Sequence, residues 1–110
     1  MKHVLSATLI LGMTLAATGT ASAQVEKGKE IFTAQKCTIC HAVGAEGNKK
    51  GPLDGIGSKL SADEIRDWIT KAPEMAAKAK ADRKPPMKPV TTLTKDELDA
   101  LVAYVSSLKK

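Results

Sequence analysis

The sequence predicts an all-α domain of three main helices plus one or two short ones. Apolar residues recur at helical spacing near the start and the end. Two capping boxes, Ser61-Ala62-Asp63-Glu64 and Thr94-Lys95-Asp96-Glu97, precede such stripes. No alternating strand pattern, internal repeat or domain linker occurs in the 110 residues.

Residues 1–23 read as a removable export signal. Lys2 and His3 give a positive start, Val4 to Ala17 are mostly apolar, and Ala21-Ser22-Ala23 offers the small residues that signal peptidase accepts. The alternative is an uncleaved membrane anchor. Ser6, Thr8, Gly12 and Thr14 interrupt the run, which is short for a bilayer of about 30 Å. The domain is therefore expected over 24–110, with Gln24 as the new start.

Val25, Gly28, Ile31 and Phe32 predict a helix from about Val25 into the cysteine segment. Gly28 costs such a helix about 1 kcal/mol against Ala, so a close helix contact is expected there. Residues 42–60 concentrate glycine around Pro52, show no period and predict a long functional loop. A helix should start after Ser61, bury Ile65, Trp68, Ile69 and Ala72, and end at Pro73, which itself suits the first position of a short helix, PEMAAKAKA. Arg83 to Val90 holds three prolines around Met87 and must be extended. The last helix follows Thr94, with Leu98, Leu101, Val102, Val105 and Leu108 on one face and Lys109 and Lys110 suited to its C-terminal dipole.

Removing 23 of 110 residues leaves 87, a size at which a polypeptide core alone is marginal. Phe32, Trp68 and Tyr104 are its only aromatic residues, so a cofactor would supply missing apolar bulk. Lys2 leaves with the signal; 16 of the 17 basic residues then face all 12 acidic ones, a balance of +4. The lysines, among them Lys27, Lys36, Lys49, Lys50, Lys84 and Lys88, are scattered and lack the interleaved aromatics of a nucleic-acid binder. They form either a solvated surface or a docking face for an acidic redox partner.

Cys37-Thr38-Ile39-Cys40-His41 has the C-x-x-C-H form of c-type haem attachment. Two thiols three positions apart on a helical turn can each form a thioether with a haem vinyl group, and the next imidazole falls under the iron. A thioredoxin-like pair would need a strand-helix-strand setting that is missing. A zinc site would lack a fourth Cys or His, since the domain has no others, leaving only an unusual carboxylate.

With these residues in place, residues 24–110 resemble the small class I monohaem cytochromes c of bacteria over essentially their whole length. Gly28 and Phe32 are similar to the glycine and aromatic residue of that family's first helix, and Tyr104 to the aromatic of its last, where the two cross. The resemblance implies the cytochrome c fold, helices wrapped around one covalently attached haem c. His41 is the domain's only histidine, so the sixth iron ligand is a methionine, Met75 or Met87. Met75 lies in a helix-like segment, whereas Met87 resembles the family's ligand in its flanking prolines and its distance to the last helix. The resemblance also implies that the Pro52 carbonyl accepts from the His41 ring, although the family often has one or two residues between this proline and the leucine that here follows at once, Leu53. Trp68 can donate to a haem propionate or serve as a core tryptophan.

The implied function is non-enzymatic: a periplasmic single-electron carrier of mid-to-high potential that docks redox proteins over a lysine-bearing face. It would be a monomer or small subunit, with no nucleic acid and no stable membrane insertion after cleavage. A fixed haem subunit of an oxidoreductase complex is the alternative. A haem enzyme or gas sensor would need an open sixth position, and peroxide chemistry usually a distal acid-base group, for which no distal histidine exists.

Overall fold

The computed structural model describes residues 18–110; the positive start and apolar run of the expected export signal, residues 1–17, lie outside the described residues. Five α-helices follow one another: α1 (Thr18–Ala34), α2 (Ile56–Lys59), α3 (Ala62–Thr70), α4 (Ala72–Ala79) and α5 (Lys95–Ser106). A 3-10 turn, Cys37–Ile39, and two short antiparallel strands, β1 (Ala42–Val43) and β2 (Glu46–Gly47), separate α1 from α2.

Both predicted capping boxes form. Ser61 and Thr94 each accept from the backbone N–H three residues on, and Glu64 and Glu97 reach back to the cap residues' own N–H groups. These bonds satisfy backbone donors that a helix start leaves without partners, which is why α3 and α5 begin where expected.

The expected loop 42–60 holds β1, β2 and α2, α5 stops at Ser106 short of Leu108, Lys109 and Lys110, and three further boundaries differ from the sequence expectation. Helix α1 begins at Thr18, upstream of Val25, because Ala21 and Ala23 are good helix formers that let the pattern continue backwards. It ends at Ala34 short of the cysteines, where the Lys36 N–H bonds the Thr33 carbonyl and Lys36 takes left-handed backbone (φ 59°). Helix α3 stops at Thr70 rather than at Pro73, and Lys71 serves both as its C-cap and as the N-cap of α4. Pro73 then lies in the first turn of α4, where its missing N–H is harmless.

The core sits between α1, α3 and α5. Ile31 and Phe32 from α1, Ile65 and Ile69 from α3, and Ala100, Leu101, Val102, Tyr104 and Val105 from α5 are all buried together. Phe32 and Tyr104 meet edge to face, with ring centroids 5.5 Å apart at 66°. Arg66 of α3 pairs with Asp99 of α5 at 2.7 Å across the same junction. Gly28 lies directly on α5: a Cβ there would run into the Ala100 carbonyl and the Tyr104 Cβ. That is the close contact its presence in a helix demanded. Below the crossing, α2 hangs from the end of α5, the Gly57 N–H donating to the Leu108 carbonyl at 2.8 Å.

Gly28→Ala tests the crossing, because helix propensity and packing pull in opposite directions. Propensity favours Ala by about 1 kcal/mol, but the obstacle is backbone that cannot move aside, so a net loss of about 1–2 kcal/mol is expected. A thermal melt should show a lower midpoint; a raised one would mean that the helices do not touch here.

Candidate haem-attachment site

The residues of the C-x-x-C-H pattern lie just beyond the end of α1, which delivers the chain onto a single tight turn. The Cys40 and His41 N–H groups both donate to the Cys37 carbonyl, at 3.2 and 2.9 Å. Cys37, Cys40 and His41 are half-buried, and the two thiols are free.

The His41 ring is oriented by its backbone surroundings. Its Nδ1 lies 3.1 Å from the Gly51 carbonyl. A carbonyl can only accept, so Nδ1 carries the proton and Nε2 of the neutral ring keeps its lone pair for a metal. Burial holds the His41 pKa below its ordinary value; the bond to Gly51 opposes this and the charge of Arg83 adds to it. The ring is thus a neutral donor at pH 7.

The carbonyl in that bond belongs to Gly51, which corrects the expectation of Pro52 by one residue. Ala42 and Pro52 form a parallel bridge in which the Ala42 N–H donates to the Gly51 carbonyl (3.0 Å) and the Leu53 N–H to the Ala42 carbonyl (2.8 Å). This pairing turns the Gly51 oxygen toward His41 and Ala42 and leaves the Pro52 side chain exposed.

Two contributors had no role in the sequence reading. Asn48 donates its backbone N–H to the Thr38 and His41 carbonyls, both at 3.1 Å, and its Nδ2 to the Ile39 carbonyl at 3.0 Å. An asparagine amid glycines is a turn signal, but not one that names its partners. Arg83 donates from Nη2 to the Cys40 carbonyl at 2.6 Å, and nothing in the sequence joins positions 43 residues apart.

Met87 is the only residue from 81 to 89 that is not exposed. Its segment carries neither helix nor strand and bends at Lys84 and Pro85 instead of running extended throughout, and it is held at its far end by the Val90 N–H, which donates to the Ile69 carbonyl at 2.8 Å. Met75 is half-buried within α4, and Trp68 is half-buried on α3 between the core residues Ile65 and Ile69.

This donor set fits a covalently attached haem. It offers two free thiols on one turn and an imidazole whose other nitrogen is already engaged, while Val43, Leu53, Ile56, Leu60, Val90 and Leu93 present half-buried apolar surface at the core margin. It is a poor dithiol redox pair. Burial pushes the Cys37 thiol up; its backbone hydrogen bond opposes this and the neighbouring Cys40 adds to it, so the thiol stays protonated at neutral pH, unlike an activated nucleophile. Among the described residues no group of three or more His, Cys, Asp or Glu side chains is placed to hold a metal ion by itself.

Fold and site together define a class, the helical proteins that carry haem on a C-x-x-C-H turn. The cytochrome c family matches residues 25–109, and the chain belongs to that family. No curated protein and no solved structure matches the chain. Family membership implies a haem electron carrier with covalent haem c and redox protein partners; proteins of this family are usually carriers rather than enzymes.

A double variant, C37S/C40S, checks the attachment. Expressed with the machinery that attaches haem, the parent protein should keep its colour through acid-acetone extraction and the variant should lose it entirely. Colour retained by the variant would place the attachment elsewhere.

Proposed function

We propose that this chain is an exported single-electron shuttle in which Cys37 and Cys40 hold the haem by thioethers and His41 and Met87 take the two axial positions of its iron. The observation that carries the ligand choice is that Met87 is half-buried within an otherwise exposed segment. A surface methionine with no task would gain nothing from being tucked in, whereas proline-stiffened backbone presents a thioether at low entropic cost. Met75, also half-buried, lies within the regular helix α4 rather than in a proline-braced segment.

Bound haem supplies one-electron chemistry. The chain's part is to orient and to tune. The Gly51 carbonyl fixes the His41 tautomer and raises the basicity of the ring. Imidazole and thioether in apolar surroundings disfavour the extra charge of the ferric state, which gives a mid-to-high potential. Trp68 is available on α3 to donate to a propionate.

Export rests on the signal-like segment 1–23, removal of which leaves the mature domain 24–110 with every α1 residue that contributes to the core. No helix among the described residues is long and apolar enough to cross a membrane. Docking is assigned to the attachment turn. Ile39 is 65% exposed there, and Asn48 and Arg83, which bond the carbonyls of the turn, are followed in the chain by Lys49 and Lys50 and by Lys84. An exposed apolar residue on a turn tied to lysine-bearing segments suits a weak, salt-dependent encounter with an acidic redox protein.

Replacing the methionines separates the two ligand candidates. Met87→Ala should abolish the red-region sulfur-to-iron charge-transfer band of the oxidised protein and let carbon monoxide bind the reduced one, while Met75→Ala should keep the band. The reverse pattern would transfer the ligand to Met75, and carbon monoxide binding by the parent protein at neutral pH would favour a haem enzyme or sensor.

A further inference from the structure

Arg83 lies near the start of the irregular segment that carries Met87, yet its guanidinium lies on the haem-attachment turn. Nη2 donates to the Cys40 carbonyl at 2.6 Å, the residue between the first thiol's turn and His41. The fit has been made room for: Gly51 is buried, and a Cβ there would run into both the Arg83 guanidinium and the Cys40 carbonyl. Gly51 is also the residue whose carbonyl receives the His41 ring proton. Arg83, Cys40, Gly51 and His41 therefore form one contiguous contact. The segment's other end is fixed independently through the Val90 N–H on the Ile69 carbonyl. Met87 sits between these two anchors, and the rest of 81–89 is exposed.

We propose that Arg83 is a positioning residue for the methionine ligand, a clamp that ties the start of the Met87 segment to the turn bearing Cys40 and His41. The inference rests on the reading of Met87 as axial ligand. An arginine suits the task because its planar fork can bond a carbonyl while lying flat across a glycine, which a lysine ammonium cannot reproduce. Without the clamp the segment is held only near its two ends, by the Ala81 N–H on the Ala76 carbonyl and the Val90 N–H on the Ile69 carbonyl, and the stretch around Met87 loses its tie to the turn. The sulfur then spends more time away from the iron, and an outside ligand competes more effectively. The same guanidinium also adds positive charge beside the imidazole, which favours the reduced, less positive iron.

The test uses the intact haem protein and titrates free imidazole into its oxidised form, following loss of the sulfur-to-iron band. Arg83→Gln should raise the apparent imidazole affinity about tenfold, the scale of one hydrogen bond to a charged group, and lower the reduction potential. Arg83→Lys, which keeps the charge and one donor, should recover the potential more fully than the imidazole affinity. Lys84→Gln, removing the adjacent cation, should leave the affinity unchanged. An Arg83→Gln protein with unchanged affinity would overturn the clamp even if its melting temperature fell, because a purely structural arginine would alter the melt alone. An equal effect from Lys84→Gln would overturn it in favour of general surface charge. Should the parent protein lack the band, or keep it in Met87→Ala, the ligand reading itself fails and takes the clamp with it. A parent with a Met87-dependent band and an inert Arg83 removes only the clamp.

Discussion

Because Gly28 has no side chain, α1 can rest its backbone against the Ala100 carbonyl of α5, and the intervening elements are arranged around that crossing. The approach seats Ile31 and Phe32 beside Leu101, Tyr104 and Val105 and closes the Phe32–Tyr104 edge-to-face contact. Helix α3 then completes the core with Ile65 and Ile69, and α2 hangs from the C-terminal end of α5. The two ends of the domain are thus joined in space, and the segments between them wrap around that frame.

The attachment turn is held differently. Few of its side chains are buried, so its shape comes from hydrogen bonds rather than from apolar packing. The Gly51 carbonyl accepts from both the Ala42 N–H and the His41 ring, Asn48 engages three carbonyls of the turn, and Arg83 takes that of Cys40. Each bond is worth only about 1 kcal/mol net, but together they leave the turn little freedom to reorganise. A site that exchanges electrons gains from this stiffness, since small nuclear displacement is what makes such transfer fast.

Composition and site bear on one another. The cytochrome c domain, residues 25–109, has three aromatics and buries one large side chain almost completely, Leu101, while many apolar residues around the core stay half-buried. In a cytochrome c such a margin is where a covalently held macrocycle adds apolar surface that the polypeptide does not supply. Stability and redox function therefore draw on the same group.

Much of this was legible in the chain itself, because the relevant signals are local. C-x-x-C-H puts its three functional groups within five residues, the capping boxes at Ser61 and Thr94 act over three, and a lone glycine in an apolar stripe announces a close neighbour. Residue spacing alone accordingly determined the helical class, the starts of α3 and α5 and the attachment turn. The tertiary structure decided what depends on partners far away in sequence or on backbone direction. It set the left-handed stop at Lys36, the choice of Gly51 over Pro52 beside His41, and the contacts of Asn48 and Arg83 with the turn. A carbonyl's direction is fixed by the bridge it takes part in, and an arginine's acceptor by where the fold brings a distant turn, so neither leaves a periodic trace in the order of residues.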